Sequence, residues 1–445
     1  MGQERWAGQV LKEVPEVGYR AEPLTETLRQ KYGELPTEEE LAMAAAFRDF
    51  TEKEIMPVRA LLDVDEKREL VGKIMDGLVK LGLQKAYLPT EVGGMGMDYE
   101  RNAMLYCLAA EEIGRGDPGI VTELFISGGW AWIPAVYAKN KAVMEKLMAP
   151  FTRDEVHTAC MALTEPHGGC NIEAEQAEGR GIRTIARLEG NEWVINGSKS
   201  WPSSAIISEV YCTVCTTDPN AGKDGFALIY VPADTPGLSF GKAENKMGMR
   251  YTDVNADIYY DNVRVPKEYR AGASGEEDFL NWHRVSSVGC LFSAALALGP
   301  ADGCLEIAID YTGNRYYAGK RVREHSLQAN MLADMIIAIQ SARAYWLNVA
   351  AMGRKPEVYG DWTSARMEAL TRATRCIATD AALMVANRTM ELMGSYGYVK
   401  ETHVEKYLRD VKIIQLWLGG AQLSRIHTVR QYYDLPPYEK IEPLA

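Results

Sequence analysis

Hydrophobic positions change their spacing twice along the chain. In residues 37–150 apolar side chains recur every three or four positions, which predicts amphipathic helices. In residues 160–266 they alternate with polar ones, in short runs separated by turn pairs such as Gly190-Asn191, and this pattern is typical of β-strands. The helical spacing returns in residues 279–433. The chain is therefore predicted to be α+β, with helical, β and helical parts in that order.

Boundary signals divide this pattern further. Thr37 precedes three glutamates, so a threonine N-cap is followed by acids in the first turn and starts a helix. Before it, one short helix is expected at Thr25–Lys31. The predicted segments are an N-terminal extension, an N-terminal all-α domain, a middle β-barrel-like domain, a C-terminal four-helix bundle and a tail. They span residues 1–36, 37–159, 160–274, 275–435 and 436–445.

Composition and charge exclude several classes of partner. The 445 residues are 47% hydrophobic, enough to bury a large core. A net charge of −12 argues against nucleic acid or an anionic membrane as a partner. No apolar run approaches the ~18 residues of a membrane span, and the N-terminus lacks a signal-peptide pattern. Scattered cysteines, with one CxxC spacing at Cys212 and Cys215, indicate reduced thiols in a cytoplasmic protein and no metal site.

Two sequence motifs carry chemistry in the β part. TEPHGG begins at Thr164 after an apolar run, and WVINGSKSW ends at Trp201. Together they resemble the middle domain of the acyl-CoA dehydrogenase family, in which the two loops wrap the flavin of FAD. The resemblance implies that Thr164 and Ser203 hydrogen-bond the flavin and that Trp201 packs against it, with Cys170 where the family usually has serine. These roles suit an isoalloxazine, which needs polar donors along one edge and a flat apolar surface against one face.

Motifs in the last helical part resemble the same family. YTGNRYYAGK resembles the segment whose arginine contacts the FAD diphosphate of a neighbouring subunit, and Arg315 stands at that position. The glycines Gly394 and Gly397 resemble those that let the chain approach the partner's FAD, which implies a homodimer or homotetramer. The FAD-binding positions implied by the resemblance are Met161, Leu163, Thr164, Gly169, Cys170, Trp201, Ser203, Arg315, Gly394, Gly420 and Gln422.

The residue that removes a proton is missing from its usual positions. The family takes an α-proton from an acyl-CoA and passes a hydride to flavin N5, so a carboxylate must face the α-carbon. Counted from Arg409-Asp410, the usual glutamate position is Leu418, and a second position used by some members is Gly289. Neither residue accepts a proton.

Asp98 is the preferred replacement. It ends the motif GGMGMD, which resembles the family loop beside the acyl chain, and some members acting on cyclic acyl groups use an aspartate. The opposing interpretation is that Asp98 only caps the helix predicted from Tyr99. Glu123, Glu100 and His283 are weaker candidates.

Three functions are compatible with a retained flavin site and a displaced base. The first is FAD-dependent dehydrogenation of an unusual acyl-CoA, cyclic or dicarboxylic, with electron-transfer flavoprotein as acceptor. The second is reduction of an enoyl-CoA, or elimination from a CoA thioester, by the same fold. The third is a non-catalytic flavin-binding subunit, which the retained Thr164, Trp201 and Ser203 disfavour. We expect the first.

Overall fold

A computed structural model describes residues 24–168, 177–178 and 180–433 of the chain. Helices occupy both ends of this part and a sheet lies between them, so the predicted α+β order is confirmed. Two of the predicted cofactor positions, Gly169 and Cys170, lie outside the described residues.

The first part of the chain is helical. Its α-helices are α1 (Leu24–Tyr32), α2 (Glu38–Phe50), α3 (Glu69–Lys80), α4 (Leu83–Ala86), α5 (Ala103–Gly114), α6 (Pro118–Val121), α7 (Gly128–Tyr137) and α8 (Lys141–Val143). Between them, π-helical turns lie at Thr51–Ile55, Thr122–Ser127 and Met144–Met148, and 3₁₀ turns at Met56–Val58, Leu61–Val64, Thr90–Val92 and Ala149–Thr152.

Local start signals explain two of these boundaries. The Glu40 backbone N–H donates to the Thr37 hydroxyl, and the Thr37 N–H donates back to the Glu40 carboxylate, so α2 begins with the predicted capping box. The helix expected from Tyr99 begins only at Ala103, because the Asp98 carboxylate first holds a turn.

Within the described residues, the middle part forms a seven-stranded sheet. Its strands are β1 (Ala159–Ala162), β2 (Ile185–Glu189), β3 (Glu192–Lys199), β4 (Val210–Thr216), β5 (Phe226–Pro232), β6 (Leu238–Phe240) and β7 (Ile258–Pro266). The order is β1-β4-β2-β3-β7-β6, with β5 also paired to β4. β2 and β3 form the hairpin predicted around Gly190-Asn191. Thr164 follows β1 and Trp201 follows β3, so both predicted flavin loops leave this sheet.

The last part is again helical. Its elements are α9 (Gly275–Asn314), the short strands β8 (Tyr316–Tyr317) and β9 (Lys320–Arg321), α10 (Ser326–Gly353), α11 (Pro356–Tyr359), α12 (Ala365–Met393), α13 (Val404–Leu416) and α14 (Gly420–Val429). α9 begins at Gly275, because the Ser274 hydroxyl accepts from the Glu277 N–H and caps the helix there.

α9 is the helix against which the other helices pack. At Gly299 a Cβ atom would lie 2.5 Å from the Glu111 carbonyl oxygen, so α9 touches the backbone of α5 directly. Between Gly275 and Asn314 most of the helix is buried.

Two apolar helical stretches, Pro118–Tyr137 and Gly275–Asn314, are long enough to span a membrane by length and composition. The most apolar window is 93% buried inside the protein in the first stretch and 89% buried in the second, as in core helices.

α1, which precedes the predicted start of the first domain, is joined to the core by charge. Lys31 Nζ lies 3.0, 2.7 and 2.6 Å from carboxylate oxygens of Glu111, Glu112 and Asp302. The Tyr32 hydroxyl donates to Glu112 at 2.5 Å. Burial by itself raises the pKa of Glu112, but Lys31 and a neighbouring arginine lower it to about 2, so the carboxylate stays ionised. α1 is thereby fixed to α5 and α9.

Lys31→Met should lower the free energy of unfolding by roughly 3 kcal/mol, because three largely buried carboxylates then share only Arg48 and Arg343. The measurement is denaturant unfolding of the holoprotein. The matched control is Lys53→Met, which removes an exposed ion pair with Asp49 and should change stability by less than ~1 kcal/mol. Equal effects of the two substitutions would contradict a structural role for α1.

Candidate functional site

Contacts between two loops hold Thr164 and Trp201 near each other. The Ser200 N–H donates to the Thr164 carbonyl at 2.8 Å, and Lys199 Nζ donates to the Leu163 carbonyl at 3.1 Å. β1 ends two residues before Thr164, and β3 ends two residues before Trp201. The sheet therefore sets both positions.

A buried ion pair fixes this arrangement. Lys199 Nζ lies 2.8 Å from Glu165 Oε1, and both side chains are buried. Glu165 also accepts the backbone N–H groups of Arg183 and Thr184 at 2.7 and 2.9 Å. Burial by itself raises the pKa of Glu165, but Lys199 and these hydrogen bonds lower it below its ordinary value. The ionised pair ties the turn after β1 to the end of β3.

Trp201 presents an uncovered aromatic face beside this turn. Its side chain is among the exposed large hydrophobic groups, with the residue 46% exposed and φ at +65°. The Asn255 amide donates to the Trp201 carbonyl at 2.8 Å and to the Ser203 hydroxyl at 3.4 Å. A non-glycine residue in this conformation is strained by ~1–3 kcal/mol, and such strain concentrates at ligand-binding sites.

The residues at this edge of the sheet fit a flavin. Thr164 and Ser203 are half-buried next to the exposed indole, while Met161 is buried in β1. Among the described residues, the buried Ser204 hydroxyl has no hydrogen-bond partner. A flat ring with a polar edge would cover the indole and bring polar atoms to these hydroxyl groups.

Arg315 and Gly394 directly follow the last residues of α9 and α12, and the ends of these two helices are in contact. The Tyr311 hydroxyl, in the last turn of α9, donates to the Met393 carbonyl at 3.4 Å, at the end of α12. Both predicted residues are exposed. Gly394 has φ +59°, a conformation that favours glycine.

Gly420 and Gln422 lie at the start of α14. Gly420 has φ +68°, and its carbonyl accepts from Arg375 at 3.2 Å. Gln422 is exposed.

At both positions where the family places its base, neighbouring groups pack closely against the chain. Leu418 is buried, and its carbonyl accepts from Arg372 and Arg375 at 3.0 and 3.3 Å. At Gly289, a Cβ atom would lie 2.7 Å from the Trp130 ring. No carboxylate could be placed at Gly289 without moving that ring.

The two positions meet in space. Trp417, the neighbour of Leu418, donates from Nε1 to the Ser293 hydroxyl at 2.9 Å. The Ser293 hydroxyl donates to the Gly289 carbonyl at 2.6 Å. Because a base at either position serves the same substrate carbon in the family, we expect the reacting acyl group here.

The structure gives Asp98 the contacts of a cap. Its Oδ1 accepts the backbone N–H groups of Glu100 and Arg101 at 3.1 and 3.0 Å, and the Tyr137 hydroxyl at 3.4 Å. The side chain is 31% exposed. Glu100 pairs with Arg284, and its pKa is raised to about 7, mainly by burial.

Glu123 lies in the π-helical turn Thr122–Ser127, and irregular helical turns of this kind are frequent at functional sites. Its fully buried carboxylate pairs with Arg68 and accepts the Val254 N–H at 3.3 Å. Asn255, which follows Val254 in the chain, donates a hydrogen bond to the Trp201 carbonyl. Burial raises the pKa of Glu123, and Arg68 opposes part of that rise.

Comparison with known families matches this geometry. The models of the acyl-CoA dehydrogenase N-terminal, middle and C-terminal domains match residues 37–155, 160–263 and 279–432. The chain belongs to the acyl-CoA dehydrogenase family. It is therefore an oxidoreductase acting on CH–CH bonds of acyl-CoA thioesters, with FAD as cofactor. This leaves the non-catalytic interpretation without support.

Relatives of this acyl-CoA dehydrogenase cover nearly all of it. Cyclohex-1-ene-1-carbonyl-CoA dehydrogenase of Geobacter metallireducens is 30% identical over 398 residues, 88% of this chain and 98% of the relative. Butyryl-CoA dehydrogenase of Megasphaera elsdenii is 26% identical with a TM-score of 0.77, covering 89% and 98%. A chain of the structure described as the electron transferring flavoprotein of Acidaminococcus fermentans is 28% identical with a TM-score of 0.78, covering 90% and 99%.

Sequence reasoning missed the residues that support the acyl-CoA dehydrogenase site. Glu165 and Lys199 are within the quoted motifs, but only the fold shows that they pair. Trp130 lies in an apolar stretch that gives no signal for a site. Arg68 and Asn255 reach their partners across long sequence separations.

Lys199→Met should weaken FAD binding at least tenfold (about 1.4 kcal/mol), because Glu165 is left buried without its cation and the turn before it loosens. The measurement is fluorescence titration of apoprotein with FAD, together with the flavin retained on desalting. Lys223→Met, which breaks an exposed pair with Glu276, is the control and should bind FAD normally. Unchanged FAD binding by both variants would refute the role of the pair.

Proposed function

We propose that this enzyme oxidises a cyclic acyl-CoA thioester to its enoyl-CoA, with a carboxylate in a position other than the usual glutamate as base. The observation that carries the proposal is that Leu418 and Gly289, the two family positions, hold no carboxylate and are closed by packing. FAD remains the hydride acceptor. The reaction type is thus the same as in the rest of the family, but a carboxylate at a different position removes the proton.

An aromatic cluster that includes Phe292, three residues after Gly289 in α9, favours a ring-shaped acyl group. Tyr99 stacks on Tyr87 at 5.0 Å between ring centroids, lies 4.8 Å from Tyr106, and lies 5.5 Å from Phe292 in α9. Broad aromatic faces complement a compact ring better than a flexible chain.

Some family members that act on glutaryl-type substrates resemble this chain at Gly116–Gly119 and hold the distal anion with an arginine shortly after it. In this chain that position is the buried Val121, so a dicarboxylic substrate is disfavoured.

The relative from Geobacter metallireducens supports this substrate class. Its name gives cyclohex-1-ene-1-carbonyl-CoA as substrate, a ring with a double bond conjugated to the thioester. In such a compound the acidic hydrogen can lie beyond the double bond, so the base would sit farther from the thioester than in straight-chain substrates. A displaced carboxylate suits that geometry.

Two carboxylates are proposed for the base, and their contacts differ. Asp98 accepts two backbone N–H groups and binds Tyr137 at the end of α7. Glu123 lies five residues before the start of α7, and its carboxylate accepts the N–H of Val254, whose neighbour Asn255 binds the Trp201 loop. The two candidates thus lie near opposite ends of α7, which is about 15 Å long. We infer that Glu123 is the proton acceptor, with Asp98 as the alternative.

In the proposed reaction the carboxylate would take a proton from the acyl group, and FAD, when bound, would supply the acceptor for the hydride that a second carbon loses, so that a new C=C bond remains. Arg68 keeps Glu123 oriented, while burial excludes water and raises its basicity. Hydrogen bonds to the thioester carbonyl would stabilise the developing negative charge.

The proposed acceptor of the electrons is electron-transfer flavoprotein. A chain of similar fold occurs in the structure described for that flavoprotein in Acidaminococcus fermentans. We also propose a homodimer or homotetramer, since Arg315 and Gly394, which resemble residues that meet a partner's FAD, are exposed. Each would then complete the FAD site of a partner.

Anaerobic addition of cyclohexanecarbonyl-CoA or cyclohex-1-ene-1-carbonyl-CoA should bleach the bound flavin, with the conjugated product identified by mass spectrometry. Butyryl-CoA is the straight-chain control and should bleach it more slowly. No bleaching by either ring compound, together with turnover of an unsaturated or substituted thioester, would instead assign enoyl-CoA reduction or elimination.

Glu123→Gln should abolish flavin bleaching while FAD stays bound, because the amide keeps the shape but accepts no proton. Asp98→Asn is the matched control, and it should retain bleaching within about tenfold, because an amide oxygen can still cap the turn. The opposite pattern would assign the base to Asp98.

In Arg68→Met the acid limb of kcat/KM should move to higher pH, since burial then raises the Glu123 pKa with less opposition.

A further inference from the structure

Trp130 is the residue that covers Gly289. Three atoms of its indole lie within 3.1 Å of the point where a Gly289 Cβ would stand, so the ring rests directly on the α9 backbone. The residue is 9% exposed. Among the described residues, its Nε1 has no hydrogen-bond partner, although the atom is buried.

The ring also lies where the reacting group is expected. Trp417 and Ser293 connect the end of α13 to the Gly289 carbonyl, one turn along α9. On the other side, Gly129, the neighbour of Trp130, lies against the Tyr99 hydroxyl, and the Tyr99 ring lies 5.5 Å from that of Phe292. The indole therefore stands beside this aromatic cluster.

We propose that Trp130 determines substrate specificity by closing the acyl site over Gly289, so that compact ring-shaped acyl groups fit and long straight chains do not. The inference rests on the proposed function for its substrate class. A linear chain would have to extend into the volume that the indole fills, whereas a ring can lie against the indole face. Removing a large ring from a packed wall opens a cavity of its own size.

The chain offers a matched control in Trp362. Its indole is likewise buried, likewise lies on a glycine backbone, at Gly353, and likewise has an unpartnered Nε1 among the described residues. It packs at the end of α10 and not on α9. Trp362→Ala should therefore share the loss of stability caused by Trp130→Ala without sharing an effect on specificity.

The experiment uses FAD-loaded enzyme and measures binding and flavin bleaching with butyryl-, octanoyl-, dodecanoyl- and cyclohexanecarbonyl-CoA. Trp130→Ala should gain at least about tenfold in affinity for octanoyl-CoA and lose about tenfold for the ring compound, since each misfit methylene is worth about that factor. Trp130→Phe, which preserves an aromatic wall, should shift the preference in the same direction by less. Trp362→Ala should keep the wild-type order of substrates.

An unchanged order of substrates in Trp130→Ala or Trp130→Phe, with flavin bound, overturns the proposal. A shift of equal size in Trp362→Ala overturns it too, because the effect would then be general loosening. Should the wild-type enzyme bind no ring compound while the alanine variant still gains octanoyl-CoA, the proposed function fails and the role of Trp130 stands.

Discussion

Direct contact between α9 and its neighbours is the constraint on which the rest of the structure depends. Gly299 brings α9 against the backbone of α5, and Gly289 receives the ring of Trp130 from α7. Side chains at these positions would push the N-terminal helices away from the C-terminal bundle. The same helix carries Ser293, which reaches Trp417 beyond α13. A single buried helix therefore sets the separation between the N-terminal helices and the chain that follows the Arg-Asp motif.

Much of this could be predicted from local sequence. The capping signal at Thr37, the hairpin at Gly190-Asn191 and the α+β order depend on nearby residues and are confirmed. A helix starts later than predicted where a side chain accepts the backbone N–H groups of its first turn, as Asp98 does before Ala103. The family and FAD followed from two motifs.

The residues that complete the site could not be found in this way, because they act through long-range pairing. Arg68 reaches Glu123 across 55 positions, and Lys199 reaches Glu165 across 34. A sequence shows that a carboxylate is missing from Leu418 and Gly289, but only the fold shows which other carboxylates are buried near the flavin loops. At Asp98 the sequence leaves both a helix cap and a base open, and only the fold shows the backbone N–H groups that its carboxylate accepts.

The salt-bridged attachment of α1 has a consequence for biosynthesis. Lys31 emerges from the ribosome early, yet Asp302 and the arginine at position 343 that share its cluster are made about 300 residues later. At ordinary translation rates that is a delay of roughly 15 to 60 s. During this interval the nascent N-terminal helices carry the acidic pair Glu111 and Glu112 without the wall of α9 that covers them. α1 therefore gains its complete set of charged partners only after residue 343 has been made.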